Sequence, residues 1–533
     1  MGGYFSSDCR RMHQTRRDLQ DSKHDLEALH RYTSCRWLWN EHQQLACRYV
    51  KFDMSRLLEL AASLIGSKYC VEAVKVSEGQ YNKVFLLTMN DGREVIAKLP
   101  NPNAGRPCFT TASEVATMDF LRNILHLPVP KVYGWSSKAS ENPVGAEYII
   151  MEKQAGVMLS DLGALYYKDD LPAMLDTSSP LYVDRDGKEV HSAKFGIGPT
   201  NHRSFFDFGR GELNIDHGPW STPAEFMIAI AHREILCARA RLRYPLMPEG
   251  LFYGPRQYQP SSSKKLSALH NYLKVAPYVL PDNRATLTSV LWHGDLHLQN
   301  IFVDPGEPTR ILGIVDWQCV SICPLFTQVT CPGFLDYNGP APEGLQQIHL
   351  PGNFDSMTDK QQKAKALHQA QTLHNLYLAR SHQVNVEAFQ AMQGQDTLRH
   401  QVSVIPGLTL MDYEPCLSSL LRDVEKGWPE IVGVRTDGLP LVPCPLQFSA
   451  AEIQEQERDE ELWAQGVGLM NDFISDTGCF KHWDGKVSNA DYESSKRQLA
   501  EGIQRFLSRE ARNEEERKAW LKALPFLDQE ETG

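Results

Sequence analysis

The stretch LWHGDLHLQNIFVDPGEPTRILGIVDWQ, residues 291–318, places many polar side chains inside a run that is otherwise typical of apolar strands. It contains four carboxylates, two histidines and an asparagine. In its first half, Asp295 stands five positions before Asn300, directly after the strand-like segment SVLW. In its second half, two β-rich runs flank PGEPT and predict a hairpin. That hairpin would return the chain so that Asp316 lies beside Asn300.

This arrangement favours a site for phosphoryl transfer. The reaction needs a carboxylate that orients an acceptor hydroxyl, and oxygen ligands that hold Mg²⁺ against nucleotide phosphates. Asp295 would supply the first part, and Asn300 and Asp316 the second. Taken singly, each residue could instead cap a turn, fill a left-handed position or end a strand. The ordered set would then require several coincidences, so we favour the phosphotransferase interpretation.

Other polar residues nearby have simpler interpretations. Asp304 and Glu307 fall in the predicted hairpin turn, where solvated acids are ordinary. His293 and His297 are assigned supporting roles, as side chains that hold the loop through hydrogen bonds to backbone or to the aspartates. Asp207-Phe208-Gly209 resembles a kinase metal motif but precedes the loop, which is the wrong chain order, so we exclude Asp207 as a ligand.

A cation for the nucleotide phosphates is expected upstream. Lys98 ends the apolar strand EVIAKLP, and Glu114 follows sixteen positions later in the predicted helix TTASEVATMDFLRNIL. Glu114 shares a helical face with apolar residues such as Met118, so it would point inward and pair with Lys98. Two alternatives stay open: a surface position for Lys98, and a capping box in which Glu114 folds back to Thr111.

Two further segments complete the expected nucleotide site. SEGQYNKVF would lie over the phosphates, although a segment with Gly79 as its single glycine is also typical of an ordinary turn. The strand YIIMEKQAG would hold the adenine edge with backbone groups of Glu152 and Gln154, and would place Met151 behind the base. Its alternative is a buried strand that ends in a loop.

The chain before the catalytic stretch predicts a small α+β lobe. SRLLELAASLIG (Ser55–Gly66) has apolar residues at helical spacing, Ser55 as a plausible cap and a terminating glycine. Two β-rich runs then meet at Asn90-Asp91-Gly92, a strong hairpin signal. With the helix and strand that follow, these elements assign residues 55–155 to an N-lobe.

Residues 156–533 predict a larger, mainly helical C-lobe that contains the catalytic loop 291–318 and a helical C-terminal tail. STPAEFMIAIAHREILCARARLRYP has Thr222 as its predicted N-cap and Pro223 at the first helical position. PSSSKK is predicted to be an exposed loop. Further helical patterns begin at Thr358 and extend over Ala450–Asp476 and Asn489–Leu524.

Composition limits the classes of partner. The 533 residues include 55 basic and 66 acidic side chains, a net charge of −11, which argues against a nucleic-acid partner because phosphate backbones are held by clustered Lys and Arg. The twelve cysteines show no zinc-site spacing and predict reduced thiols in an intracellular compartment. No apolar run approaches the roughly 18 residues that span a bilayer, so we expect no transmembrane segment. Oligomeric state cannot be inferred.

Residues 1–54 are assigned to an N-terminal extension with two weak targeting signals. The first 17 residues hold four arginines and one acid, as a mitochondrial leader would, but the acids from Asp18 onward spoil the pattern. MGGYFS also matches the myristoylation pattern with Gly2 at the acceptor position. An unmodified tail is favoured over acylation.

These motifs resemble the aminoglycoside phosphotransferase family, kinase-like enzymes that phosphorylate small molecules. The family's catalytic loop is similar to His293-Gly-Asp-Leu-His297, and its metal aspartate lies in an I-I-D-W-like strand. The resemblance covers residues 70–335. Through RYTSCRWLWNE, YLKVAPYVLP, LWHGDLHLQNIFVDP and GIVDWQ the chain also resembles the fungal altered-inheritance-of-mitochondria protein nine group, whose name implies a mitochondrial location.

The resemblance implies a bilobal, protein-kinase-like α+β fold and the cofactors ATP and Mg²⁺. It implies Asp295 as base, Asn300 and Asp316 as Mg²⁺ ligands, and Lys98 on the nucleotide phosphates. The sequence departs from the family at Leu298-Gln299, where many members have Pro-Gly, and in its sparse glycine loop.

The expected function is an ATP- and Mg²⁺-dependent phosphotransferase that acts on a hydroxyl of an unidentified small molecule. The alternative is a catalytically weak, nucleotide-binding regulator or scaffold in mitochondrial maintenance, which the single-glycine loop and long insertions keep open. A protein kinase ranks third, because no A-P-E motif follows Asp316 at the expected place.

Overall fold

The computed structural model describes residues 12–15, 23–152, 164–171, 180–183, 188–243, 253–304, 306–307, 309–335, 359–478 and 485–527. The leader-like pattern, apart from Met12–Thr15, lies outside these residues, as do the Gly2 acylation pattern and Gln154. The described chain forms a small β-rich N-lobe and a larger, mainly helical C-lobe. The predicted bilobal α+β fold is therefore confirmed.

The N-lobe is built on a six-stranded antiparallel sheet. In spatial order its strands are β1 (Met12–Thr15), β3 (Cys70–Glu78), β4 (Asn82–Met89), β5 (Glu94–Pro100), β7 (Tyr148–Glu152) and β6 (Val132–Ser136), while β2 (Arg36–Trp37) pairs elsewhere. The hairpin predicted at Asn90-Asp91-Gly92 joins β4 to β5. Gly92 has a φ of 82°, a left-handed conformation that glycine adopts without steric cost.

The helices of this half of the chain are α1 (Lys23–His30), α2 (Glu41–Ala46), α3 (Met54–Ile65) and α4 (Phe109–Asn123). The predicted cap of α3 is wrong: Asp53, not Ser55, accepts the amide hydrogen of Arg56 at 3.0 Å. An aspartate two residues earlier accepts one of the first free amide hydrogens and leaves Ser55 inside the helix. Gly66 ends α3 with a φ of 72°, as predicted.

Alternation along β5 decides where Lys98 points. Val95 and Ala97 are fully buried on the face of the sheet that packs against α3, in one apolar core. Because successive side chains of a strand point to opposite faces, Lys98 faces the other side, toward α4. The strand therefore places a lysine against a helix rather than in solvent.

The C-lobe combines short strand pairs with long helices. The pairs are β8 (Ala164–Tyr167) with β11 (Phe195–Gly198), β9 (Tyr182–Val183) with β10 (Glu189–Val190), β12 (Ser289–Leu291) with β15 (Ile322–Pro324), β13 (Ile301–Val303) with β14 (Ile311–Ile314), and β16 (Lys486–Val487) with β2. The helices are α5 (Pro223–Arg239), α6 (Ser262–Val275), α7 (Leu325–Gln328), α8 (Asp359–Val384), α9 (Val386–Gln393), α10 (Leu398–Val404), α11 (Glu414–Lys426), α12 (Trp428–Val432), α13 (Ala450–Thr477), α14 (Tyr492–Glu510) and α15 (Glu514–Ala523).

Local signals predicted some of these helices and missed others. Thr222 caps α5, and a capping box formed by Ser449 starts α13, so both predicted helices are confirmed. The predicted loop PSSSKK is wrong, since Ser261 accepts the Lys264 amide hydrogen and caps α6. The single helix predicted after Asn489 is also wrong, because Asn513 interrupts it and caps α15. Thr358 lies outside the described residues.

One apolar core joins the lobes beneath the catalytic stretch. Residues of α4 pack there with residues that flank the catalytic loop, including Leu121, Leu291, Ile314 and Trp317. A separate core holds the C-terminal helices against the chain near β2, where Trp39 meets Phe526 edge to face at 5.5 Å. The chain before residue 54 therefore packs against both lobes. The domain boundaries given in the sequence analysis stay predictions.

Two sequence expectations concern the chain as a whole. Among the helices that the structure describes, none combines the length and apolar character needed to cross a bilayer. The described cysteines are all free thiols.

A buried carboxyl group in the C-lobe predicts a pH-dependent stability. Glu414 is 1% exposed, and its Oε1 accepts a hydrogen bond from the Tyr258 hydroxyl at 2.8 Å. Its Oε2 is buried and has no hydrogen-bond partner among the described residues. Burial raises the pKa of Glu414 to about 7. The folded protein therefore holds this proton more tightly than the unfolded chain does.

The free energy of unfolding should consequently fall as pH rises from 4.5, the ordinary pKa of Glu, to about 7. The loss attributable to Glu414 is roughly 3 kcal/mol. Denaturant unfolding of wild type and Glu414→Gln at several pH values measures it. The wild type should lose stability relative to the variant across this interval, whereas parallel pH profiles would contradict the assignment.

Candidate active site

The catalytic loop leaves β12 and returns through the predicted hairpin, which is present. In that hairpin Ile301 pairs with Ile314, and the amide of Val315 donates to the carbonyl of Asn300 at 2.9 Å. The backbone thus brings Asn300 next to the residue that precedes Asp316. Asp304 accepts the amide hydrogen of Gly306 at 2.8 Å, as a turn residue does.

Asp295 and Asn300 take complementary positions in the loop. The Asp295 side chain is 77% exposed, with His297 Nε2 at 3.8 Å from its Oδ2. Asn300 is buried, and its Nδ2 donates to the backbone carbonyl of Asp295 at 2.9 Å. This hydrogen bond closes the loop and fixes the orientation of the Asn300 amide. The carboxylate of Asp295 takes no part in it and stays exposed.

His293 ties the start of the loop to its end. Its Nε2 lies 3.0 Å from the carbonyl oxygen of Val315, and its ring meets Trp317 edge to face at 4.7 Å. Burial lowers the pKa of His293, which favours the neutral ring. A neutral ring protonated at Nε2 donates to Val315 and holds the backbone directly before Asp316.

Lys98 lies between two carboxylates. Its Nζ is 2.7 Å from Oε1 of Glu114 and 2.8 Å from Oδ1 of Asp316. Lys98 and Glu114 are buried, while the Asp316 side chain is 40% exposed. The alternative capping box is wrong, because α4 begins at Phe109 and both Thr111 and Glu114 lie inside it. One buried ammonium therefore links the N-lobe helix to the end of the catalytic stretch.

Lys98, Glu114 and Asp316, the triad around Lys98, change one another's pKa values. Burial raises the pKa of Glu114, whereas the positive charge of Lys98 lowers the pKa of Asp316. Burial alone would lower the pKa of Lys98, but the charges of Asp316 and Glu114 raise it above its usual range. Lys98 therefore stays protonated between the two carboxylates.

Asp316 adopts a strained backbone conformation. Its φ is 66°, in the left-handed region that few residues with a side chain occupy. Such conformations cost of order 1–3 kcal/mol and are found where the surrounding structure holds a side chain in a functional orientation. Two residues later, Gln318 Oε1 accepts a hydrogen bond from Asn82 Nδ2 at 2.7 Å, which links this segment to the start of β4.

The structure describes only some of the residues that were expected to contact the nucleotide. Gly79 is exposed in the three-residue connection between β3 and β4, so the predicted loop over the phosphates is a short turn. Met151 is half-buried and packs against the core that joins the lobes. The amide of Glu152 donates to the carbonyl oxygen of Lys131 at 2.7 Å. Any contact of Glu152 with the base would therefore use the Glu152 carbonyl group.

Sequence reasoning missed the contacts that cross between the lobes. Asp207, excluded above as a metal ligand, pairs with Arg203 at 2.7 Å. The guanidinium of Arg203 in turn lies over the ring of Tyr81, 4.1 Å from its centroid. Neither the contact between Arg203 and Tyr81 nor the Asn82–Gln318 hydrogen bond had a local signal, because the partners are separated by more than one hundred positions.

The side chains present fit a magnesium ion held together with a nucleotide. Carboxylate and carboxamide oxygens, such as those of Asp316 and Asn300, are the ligands that Mg²⁺ prefers. Within the described part of the chain no three His, Cys, Asp or Glu side chains gather as a metal-binding group. This donor set suits Mg²⁺ sites that rely on substrate phosphates and water for the remaining ligands.

Comparison with known proteins identifies similar sequences. Residues 251–328 match the model of the phosphotransferase enzyme family. A subtelomeric hrmA-associated cluster protein of Aspergillus fumigatus is 31% identical over 463 residues, which cover 76% of this chain and 87% of that protein. The chain belongs to the phosphotransferase enzyme family. The resemblance to the aminoglycoside phosphotransferases expected from the motifs is confirmed.

Two further relatives extend the comparison. A Yarrowia lipolytica protein named altered inheritance of mitochondria protein 9, mitochondrial, is 24% identical over 508 residues, 84% of this chain and 83% of that protein. A solved macrolide 2'-phosphotransferase of Brachybacterium faecium is 13% identical, covers 66% of this chain and 98% of its own, and gives a TM-score of 0.24.

Proposed function

We propose that this member of the phosphotransferase family transfers the γ-phosphoryl group of ATP, with Mg²⁺, to a hydroxyl of a small molecule. The observation that carries the proposal is the position of Lys98, whose ammonium joins Glu114 and Asp316 within 2.8 Å at the end of the catalytic stretch. Phosphoryl transfer depends mainly on positioned charge, and the site around Lys98 brings charged groups together in one place.

Each residue has a distinct role in the proposed reaction. Lys98 binds the nucleotide phosphates, and Glu114 keeps it in position. Asn300 and Asp316 hold the metal; Mg²⁺, when bound, neutralises charge on the phosphate oxygens. Asp295 orients the acceptor hydroxyl and accepts its proton as the oxygen attacks the γ-phosphorus and the bond to ADP breaks. His293 and His297 support the loop.

The location of the protein and its acceptor are separate parts of the proposal. We propose a mitochondrial location, supported by the names of relatives such as the Yarrowia lipolytica protein. The acceptor is a hydroxyl-bearing small molecule of unidentified class. A second candidate function, a nucleotide-binding regulator with negligible turnover, is favoured by the short turn at Gly79, which offers few backbone amides to phosphates.

Calorimetric titration of ATP, with Mg²⁺ and with EDTA, tests the metal and nucleotide parts of the proposal. Asp316→Asn removes the charge of one metal ligand and should weaken Mg²⁺-dependent ATP binding at least about tenfold, as loss of a charged contact does. Asp304→Asn is the matched control, because Asp304 lies in the turn of the same stretch. Its affinity should equal that of the wild type.

Loss of γ-phosphate from ATP in the presence of a small-metabolite pool tests the transfer itself. Turnover with a metabolite would support the enzyme. Tight Mg-ATP binding without turnover on any pool would favour the regulator, and no ATP binding by the wild type would contradict both functions.

A further inference from the structure

A segment of the C-lobe reaches the turn that would cover the nucleotide phosphates. Arg203 lies with its guanidinium over the ring of Tyr81, at 4.1 Å from the ring centroid. Tyr81 is the last residue of the connection between β3 and β4. Asp207 holds the other side of the guanidinium, with Oδ2 at 2.7 Å from Nη2. An arginine of the C-lobe therefore contacts the last residue of an N-lobe turn.

The same arginine lies close to the triad around Lys98. The thiol of Cys319, three residues after Asp316, lies 3.4 Å from the carbonyl oxygen of Ala104. Burial raises the pKa of this thiol to about 12, and the positive charges of Arg203 and Lys98 both oppose that rise. Asn82, the residue after Tyr81, donates from its Nδ2 to Gln318 Oε1 at 2.7 Å, so the turn that Arg203 contacts is bonded to the segment directly after Asp316.

Polar atoms around Arg203 lack partners. Its side chain is 27% exposed, yet its Nε is buried and unpaired within the described residues. Asn201 is 1% exposed, and neither its Nδ2 nor its Oδ1 has a hydrogen-bond partner there. Buried polar groups are paired in most native proteins, and unpaired ones cost about 1–3 kcal/mol each. The 27% of the Arg203 side chain that is exposed is accessible to a ligand rich in acceptor oxygens.

The segment is held rigidly behind the arginine. The hydroxyl of Ser204 accepts a hydrogen bond from Arg233 Nη1 at 3.1 Å, and Arg233 Nε donates to the buried Glu234 at 2.8 Å. Both of these charged residues belong to α5. A guanidinium supported in this way is positioned before any ligand arrives, which lowers the entropy lost on binding.

We propose that Arg203 is a phosphate-binding residue that contacts the terminal phosphate of the nucleotide. This inference rests on the proposed function, in which Asp316 would hold a metal that neutralises charge on the nucleotide phosphates. Arg203 contacts the turn that is bonded to the segment directly after Asp316. The planar fork of arginine matches phosphate oxygens, and it replaces amides that the short turn at Gly79 does not provide. Asp207 holds Arg203 in the absence of nucleotide.

The affinities for Mg-ATP and Mg-ADP, measured calorimetrically, test this role. Arg203→Met keeps much of the apolar bulk and removes the charge. It should weaken ATP binding roughly 10- to 100-fold, the loss expected for a charged hydrogen bond, while ADP binding changes only a few fold. Arg203→Lys keeps the charge without the fork and should restore part of the preference for ATP. Arg256→Met, which breaks an ion pair with Glu516 in another part of the C-lobe, is the matched control.

The outcomes separate this inference from the function on which it rests. A wild type that binds ATP, together with an Arg203→Met variant whose ratio of ATP to ADP affinity is unchanged, would overturn the role of Arg203 alone. If Arg203→Met fails to fold, the same ratio in Arg203→Lys decides: a reduced preference for ATP supports the contact, and an unchanged one contradicts it. A wild type that binds no nucleotide would overturn both proposals.

Discussion

Asp295→Asn is expected to lower the rate of phosphoryl transfer by roughly 10²- to 10⁴-fold, the usual contribution of a positioned acid or base. The variant should bind Mg-ATP within a few fold of the wild type, since Asp295 is proposed to contact the acceptor and not the nucleotide. The Asp295→Asn variant should also fold as the wild type does. The loop is closed by the backbone carbonyl of Asp295, which accepts from Asn300 at 2.9 Å, and the carboxylate itself is 77% exposed.

The measurement is loss of γ-phosphate beside calorimetric affinity for Mg-ATP, in the wild type, Asp295→Asn and Asp304→Asn. Asp304→Asn makes the same chemical change nine positions further along the chain, in the hairpin turn, and should keep full activity. An Asp295→Asn variant that turns over at the wild-type rate would refute the role of this carboxylate. Parallel losses of turnover and of ATP affinity would instead assign Asp295 to nucleotide binding.

Local rules were sufficient to predict the centre of the site. Strand alternation and a helical face brought Lys98 to Glu114, and the hairpin brought Asn300 next to the residue before Asp316. The prediction for Glu114 used the period of 3.6 residues, and the prediction for Asp316 used a turn signal within a few positions; the alternation of two along β5 explains where the structure places Lys98. The arrangement follows because the residues lie on regular elements whose geometry fixes the direction of the side chains.

Contacts between distant segments could not be predicted in this way. The hydrogen bond from Asn82 to Gln318 and the contact between Arg203 and Tyr81 depend on how the lobes face each other. The missed caps have another cause. A serine such as Ser261 satisfies free amides equally well in a loop or at a helix start, so packing of the following residues decides between them.

Lys98→Met is expected to impair nucleotide binding and also to destabilise the fold. Glu114 is 3% exposed, and removing its cation leaves a buried charge without compensation, a change that costs about 3–5 kcal/mol. Asp316 is affected less, because its side chain is 40% exposed and water can solvate it. The variant can limit the cost by protonating Glu114, whose pKa burial already raises. Its free energy of unfolding should therefore fall as pH rises above the ordinary pKa of Glu.

The double variant Lys98→Met/Glu114→Gln separates the two effects. A neutral amide at position 114 needs no counter-ion, so most of the lost stability should return and the added pH dependence should disappear. Nucleotide affinity should stay low, because the cation for the phosphates is still absent. Denaturant unfolding and Mg-ATP titration of both variants measure these quantities. Recovery of ATP affinity in the double variant would show that Lys98 acts only through stability, and the proposed contact with the phosphates would then be wrong.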